Sequence, residues 1–210
     1  MRPYTIVFST ETVDGRIADP TGFSQLSCIE DFILQHTLRA RVDAVMVGSR
    51  TAIMDNPRLT VRLSSGWSPL RVVIDSKLRV PPSARVFSVP GKGVLVTVEG
   101  HSSERLLEYR RRGVVVVESG RGRVDLRDAV ERLAGMGVRR LMVEGGGGLN
   151  YALLSYRLVD EVWVTIAPYV FGAGRSMFEG DKGIRARLAL YYNKILCGGW
   201  VHLRYRVVYH

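Results

Sequence analysis

The chain has 210 residues, 30 Lys and Arg against 20 Asp and Glu, and a formal net charge of +10. That length suits one domain at roughly 100–200 residues each, and 46% hydrophobic residues exclude a disordered basic tail. No apolar run reaches the ~18 residues of a membrane helix, since 162–171 is broken by Thr165 and Pro168, and no secretory pattern opens the chain.

Residues 3–10 read as a strand and 11–26 as a polar, Gly-containing loop. A helix is predicted to begin near Cys28, because Ser27 and Glu30 match a capping box; Ile29, Phe32, Ile33 and His36 then recur at helical spacing. Strands follow at 43–48, 70–75 and 93–98. A helix near 103–112, a strand at 113–118, a helix at 125–135 opened by Asp125 and a strand at 138–144 come next. A helix starting near Leu149 leads into a strand at 160–167, and 187–196 and 200–209 flank Gly198-Gly199 as a hairpin. This alternation predicts one α/β domain, 1–210, with a mostly parallel sheet covered on both faces and made mixed by the C-terminal hairpin.

Cys28 and Cys197 lie far apart in sequence. They exclude a disulfide scaffold or a Cys-x-x-Cys site and fit a reducing, cytoplasmic setting. His36, His101, His202 and His210 show no metal spacing, so no metal site is expected. Of the basic residues 26 are Arg and 4 are Lys, which raises a nucleic-acid partner. The most basic stretch, 105–140, also holds Glu108, Glu118, Asp125, Asp128 and Glu131. That mixture favours surface ion pairs over nucleic-acid binding.

The sharpest local signal is Val143-Glu144-Gly145-Gly146-Gly147-Gly148-Leu149-Asn150, between a strand and a helix. It matches neither an ATP-type phosphate loop nor a G-x-G-x-x-G fingerprint. Four glycines favour a phosphate or dinucleotide site at a helix start, with a plain tight turn as the alternative. Glu144 at the strand's end could shuttle a proton or orient a sugar, or could simply favour the helix dipole. In the second segment, 48–62, Thr51 and Asp55 share one helical face and Arg58 and Arg62 could grip a phosphate, although capped turns with exposed arginines read the same way.

Taken together, T-V-D-G-R-I-A at 12–18, L-R-A-R-V-D-A-V-M-V-G at 38–48, T-A-I-M-D-N-P-R-L-T-V at 51–61, R-V-V-I-D-S-K-L-R-V-P at 71–81, V-E-G-G-G-G-L-N at 143–150 and L-V-D-E-V-W-V-T-I-A-P at 158–168 resemble the riboflavin-biosynthesis reductase family, in particular its stand-alone archaeal type. The resemblance implies a dihydrofolate-reductase-like three-layer α/β/α fold, a homodimer, and NADPH, with NADH possible, as cofactor. It implies reduction of the ribosyl group of 2,5-diamino-6-ribosylamino-4(3H)-pyrimidinone 5′-phosphate by hydride transfer to C1′; the deaminated pyrimidine or another substrate of this fold is the alternative. Carried over by position, Thr51, Asp55, Asp75, Ser76, Lys77, Leu78, Gly120, Arg121, Gly145, Gly146, Gly147 and Gly148 would bind the cofactor. Ser27, Arg39, Arg62 and Glu144 would face the substrate, the arginines near its phosphate and Glu144 as the catalytic group. Arg16 stands where the family has Lys, and a guanidinium does not readily give up a proton. Gly148 stands where relatives often carry Thr or Ser. The length and cysteine count leave no room for the zinc deaminase domain of bifunctional relatives.

Overall fold

The computed structural model describes residues 1–209; His210, one of the histidines considered above, lies outside them. The strands are β1 (Tyr4–Thr12), β2 (Arg16–Ala18), β3 (Ala44–Gly48), β4 (Leu70–Ile74), β5 (Gly93–Thr97), β6 (Val115–Glu118), β7 (Arg140–Val143), β8 (Glu161–Ala167), β9 (Arg175–Ser176), β10 (Arg187–Leu196) and β11 (Trp200–Val208). The helices are α1 (Ile29–Arg39), α2 (Ser49–Met54), α3 (Arg85–Ser88), α4 (Ser103–Arg111), α5 (Leu126–Gly135) and α6 (Gly147–Ser155). Nine strands form one sheet in the order β10-β11-β8-β1-β7-β3-β4-β5-β6, and β2 pairs with β9 apart from it. β8, β1, β7, β3, β4, β5 and β6 run parallel, while β11 joins β8 and β10 antiparallel.

Alternation along each central strand builds the layers. Ala44 and Met46 of β3, with Leu141 and Val143 of β7, meet α5 and α6. Val45, Val47 and Met142, one residue out of phase, meet α1, α2, α3 and α4 on the other face. Burial on both faces is why these strands read as unbroken apolar runs. α5 starts as Asp125 predicted: its carboxylate accepts from the Arg127 and Asp128 amides at 2.9 and 3.2 Å. Such a cap contributes about 1 kcal/mol.

Two expectations fail here. The capping box at α1 does not form: Cys28 is the N-cap, without a side-chain bond. Ser27 instead meets Thr10 Oγ1 at 2.9 Å, and Glu30 accepts from the Cys197 amide at 3.1 Å. The cysteines also run against the reducing setting read from them, since neither is a free thiol. The β10–β11 hairpin folds its turn back onto the start of α1, and Cys28 and Cys197 form a disulfide across a Cα–Cα distance of 6.6 Å. It is a single cross-link rather than a scaffold, and a separation of 169 residues conceals it from the sequence.

Among the described residues no helix is long and apolar enough to cross a membrane, and no cluster of His, Cys, Asp and Glu could hold a metal.

Candidate functional site

A cavity of about 1520 Å³ opens beyond the carboxyl ends of β1, β3, β4 and β7, the edge of an open α/β sheet where ligands bind. The glycine turn forms one wall. Gly145 adopts a φ of 95°, in the left-handed region that glycine tolerates. Its carbonyl accepts from the Gly48 amide at 2.8 Å, tying the turn to the end of β3. A Cβ on Gly146 would stand 3.2 Å from Thr51 Oγ1, and a Cβ on Gly147 would overlap the Ser176 carbonyl. At Gly148 the nearest atom is the Glu179 carbonyl oxygen, 3.9 Å away, so that position has room. The turn therefore lets three segments approach one another. The first amides of α6, which the helix itself does not use, begin at this wall, where they favour an anion.

Glu144, between β7 and the glycines, meets α1. Arg39 donates from Nε to Oε1 at 2.6 Å and from Nη2 to Oε2 at 2.7 Å. Gln35 Nε2 donates to Oε2 at 3.1 Å. Gln35 and Arg39 are four apart on α1 and so share a face. Both ionic side chains are more than nine-tenths buried, and a bidentate pair of this kind holds its geometry. Arg39 Nη1 donates to the Thr60 carbonyl at 3.1 Å. Three of its five donors are thus committed to protein atoms, two of them on Glu144, and it enters the site chiefly as the holder of that carboxylate.

Arg62 also faces the cavity, with Nη1 donating to Thr60 Oγ1 at 2.9 Å. Partial burial and the charges of Arg39, Arg58 and Arg85 hold its guanidinium below the ordinary value; that local excess of positive charge favours an anion. Its amide donates to His36 Nδ1 at 2.8 Å. Burial, then the nearby Arg39 and Arg62 charges, push His36 down to about 4.

Ser27, Arg39, Arg62, Glu144, Thr51 and Asp55 all line the cavity, as do Ser76, Lys77, Gly146, Gly147 and Gly148. Asp75, Leu78 and Gly145 do not, Gly145 being turned to the end of β3. The Asp75 carboxylate is buried and accepts from the Lys77, Arg79 and Val80 amides at 3.2, 2.6 and 2.8 Å. It braces a turn in which Leu78 takes a φ of 50° and packs inward. Gly120 and Arg121 also miss the wall. Gly120 serves a turn that a Cβ would clash with, and Arg121 points to solvent beside Glu99 at 3.2 Å. Arg123 and Arg79 line the cavity in their place, Arg79 donating to Ser49 Oγ at 2.9 Å. The sequence held no signal separating Arg123 from Arg121, two residues apart in one turn. It did hold one for Gln35, whose spacing from Arg39 is helical. Arg16 is turned away toward Ser176 Oγ, 3.0 Å from Nη1.

Residues 3–200 match the family model described as the RibD C-terminal domain. The chain is 46% identical over 186 residues to the 2,5-diamino-6-ribosylamino-4(3H)-pyrimidinone 5′-phosphate reductase of Methanothermobacter thermautotrophicus, covering 86% of each. A pyrimidine reductase-like protein from Corynebacterium diphtheriae superposes with a TM-score of 0.85 at 22% identity, over 99% of this chain and 93% of that one. A deaminase/reductase from Thermotoga maritima gives 0.81 at 24% identity; 98% of this chain covers 56% of that longer one. At these identities the solved structures bear on the fold alone.

Proposed function

The chain belongs to the RibD C-terminal domain family, and from that premise we propose that it reduces 2,5-diamino-6-ribosylamino-4(3H)-pyrimidinone 5′-phosphate to its ribitylamino product in riboflavin biosynthesis, with NADPH as reductant. One observation carries the reading most: a single cavity has a glycine-built helix start on one wall and, on another, a braced carboxylate beside a cation that faces the cavity. The name of the archaeal relative supplies the substrate. The whole chain acts as one reductase domain.

The residues present fit a nicotinamide dinucleotide. Gly146 and Gly147 leave backbone where a Cβ would meet Thr51 or the Ser176 carbonyl. Thr51, Asp55, Ser76, Lys77 and the Gly146–Gly148 wall would hold the cofactor, with Arg79 and Arg123 as cations near its phosphates. When bound, the nicotinamide would supply hydride to C1′ of the ribose once the ribosylamine ring has opened to an imine, and the imine nitrogen would take up a proton to complete the amine. Arg62 binds the 5′-phosphate and contributes remote binding energy. Glu144 has about four lone-pair sites; Arg39 takes two and Gln35 one, leaving capacity for a sugar hydroxyl. We therefore assign Glu144 to orienting the ribose. A second copy of the chain fits the outer strand β10, where Leu190 and Ile195 are 50% and 68% exposed.

The test is nicotinamide oxidation with the diamino compound beside its deaminated analogue. NADPH should be consumed one-for-one with the diamino substrate. Glu144→Gln should lower kcat about a hundredfold, or ~2.7 kcal/mol. Arg62→Ala should raise KM for the substrate about tenfold with kcat little changed. No turnover with either pyrimidine sinks the reading; preference for the deaminated one sinks only the choice of substrate.

A further inference from the structure

A line of largely buried polar groups runs from β11, along the face of the sheet that carries α1, to the cavity wall. It begins at Arg204 of β11, whose guanidinium lies 3.7 Å from the Trp163 ring centroid and 4.4 Å from that of Tyr192. Arg204 Nε donates to His202 Nε2 at 3.1 Å. A guanidinium has no acceptor, so His202 Nε2 must accept and the ring's hydrogen sits on Nδ1. Burial, with Arg204 and Lys194 nearby, pushes His202 down to about 4, in keeping with a neutral ring. His202 Nδ1 lies 2.9 Å from Thr165 Oγ1 and donates to it. Thr165 then gives its own hydrogen to Asp31 Oδ1 at 2.5 Å. Thr10 Oγ1 gives its hydrogen to Asp31 Oδ2 at 2.6 Å.

Thr10 has now used its only hydrogen. In its 2.9 Å contact with Ser27 Oγ, Ser27 must be the donor. Ser27 has then used its hydrogen too, and only lone pairs remain for the cavity it lines. Asp31, Thr165 and His202 are fully buried, so solvent cannot reset the order.

We propose that Asp31 is a positioning residue: through Thr10 it fixes Ser27 as a hydrogen-bond acceptor, so that the cavity selects a ligand carrying a donor, a hydroxyl or an amine, at that point. The identity of the ligand rests on the reductase reading; the order of the hydrogens does not. Asp31→Asn separates the two arms. The Arg204 end still obliges Thr165 to donate, so the amide turns its oxygen to Thr165 and its NH2 to Thr10. Thr10 then donates to Ser27, and the Ser27 hydrogen turns into the cavity. One hydroxyl is reversed and the rest of the line is kept.

The experiment uses the full chain as wild type, D31N, T10V, S27A and the two double variants with S27A. It combines steady-state kinetics on the diaminopyrimidine ribosylamine phosphate with 15N NMR of the His202 ring. His202 should carry its hydrogen on Nδ1 in wild type and D31N alike. D31N and T10V should each raise the substrate KM about tenfold while the KM for NADPH stays within twofold. On the S27A background neither should add more than twofold. T10V keeps the arm through Thr165 and so stands in where D31N is poorly folded. An effect of full size on the S27A background, an unchanged KM in D31N and T10V, or a hydrogen on Nε2 each overturns the proposal. Should wild type fail to turn over the compound, the reductase reading falls. The NMR result then tests the order apart from catalysis: a hydrogen on Nε2 overturns it, and one on Nδ1 upholds the part that runs from Arg204 to Asp31.

Discussion

Gly147 and Gly148 are neighbours with the same chemistry and different freedoms. A Cβ at 147 would overlap the Ser176 carbonyl, whereas 148 has open space. Gly147→Ala should lower stability by about 2–3 kcal/mol, as overpacking does, and weaken nicotinamide binding. Gly148→Ala should change both little, and its compatible geometry even favours the folded chain slightly. Urea unfolding and a cofactor titration compare the two; equal effects would contradict the geometry. The glycine run was legible as a special turn because its length exceeds what a turn requires, and Gly146, Gly147 and Gly148 do line the cavity. Asp75 was misread at the same scale. Its side chain points into a turn that its own carboxylate holds together, and sequence cannot distinguish that from a residue facing the cavity beside Ser76. Arg71 gives a similar lesson: it is fully buried, donating to the Val89, Pro90 and Gly91 carbonyls at 2.7–3.0 Å.

At the scale of elements, α1 does most to assemble the site, since one face carries Gln35, His36 and Arg39. The strands and the larger helices were legible from periodicity, because a doubly covered sheet needs apolar runs and its helices need one apolar face. The start of α1 was not legible in its details. Its capping motif was present, but tertiary contacts claimed both side chains first. α1 and β11 also carry the pH dependence of the fold. Burial holds His36 and His202 near 4 when folded, against about 6.5 unfolded. Between those values the unfolded chain binds more protons, so stability is full above pH 6.5 and falls as pH drops toward 4. Each histidine adds a slope of at most ~1.4 kcal/mol per pH unit. Asp14 adds a second decline below pH 4. The Thr12 hydroxyl and the Phe171 and Gly172 amides hold its carboxylate at about 2, so its contribution is present above its ordinary value and lost as pH falls toward 2. Urea midpoints at pH 7, 5.5 and 4.5 should descend in that order; level midpoints would contradict the burial of both rings.

Across the whole molecule, the +10 surplus resolves into several local uses. Arg39 braces a carboxylate, Arg71 holds a loop, Arg204 ends a buried line, and Arg62, Arg79 and Arg123 face the cavity. Composition showed the excess but could not locate it. The disulfide was equally hidden, because only the folded sheet brings its ends together. Its loop of 169 residues corresponds to about 5 kcal/mol in the chain-entropy treatment, an upper figure for any one cross-link. Reduction with dithiothreitol, or Cys28→Ser, should therefore lower the urea midpoint clearly; an unchanged midpoint would show that the bond adds nothing.

That cross-link also records the history of each molecule. Cys197 is made long after Cys28, and the two sulfurs meet only once the terminal hairpin has docked against the first helix. Under oxidising conditions a reactive thiol at Cys28 thus marks a chain in which this bond has not yet closed. Alkylation during refolding would tag such chains, and the untagged fraction would report how quickly the two ends of the sequence find each other.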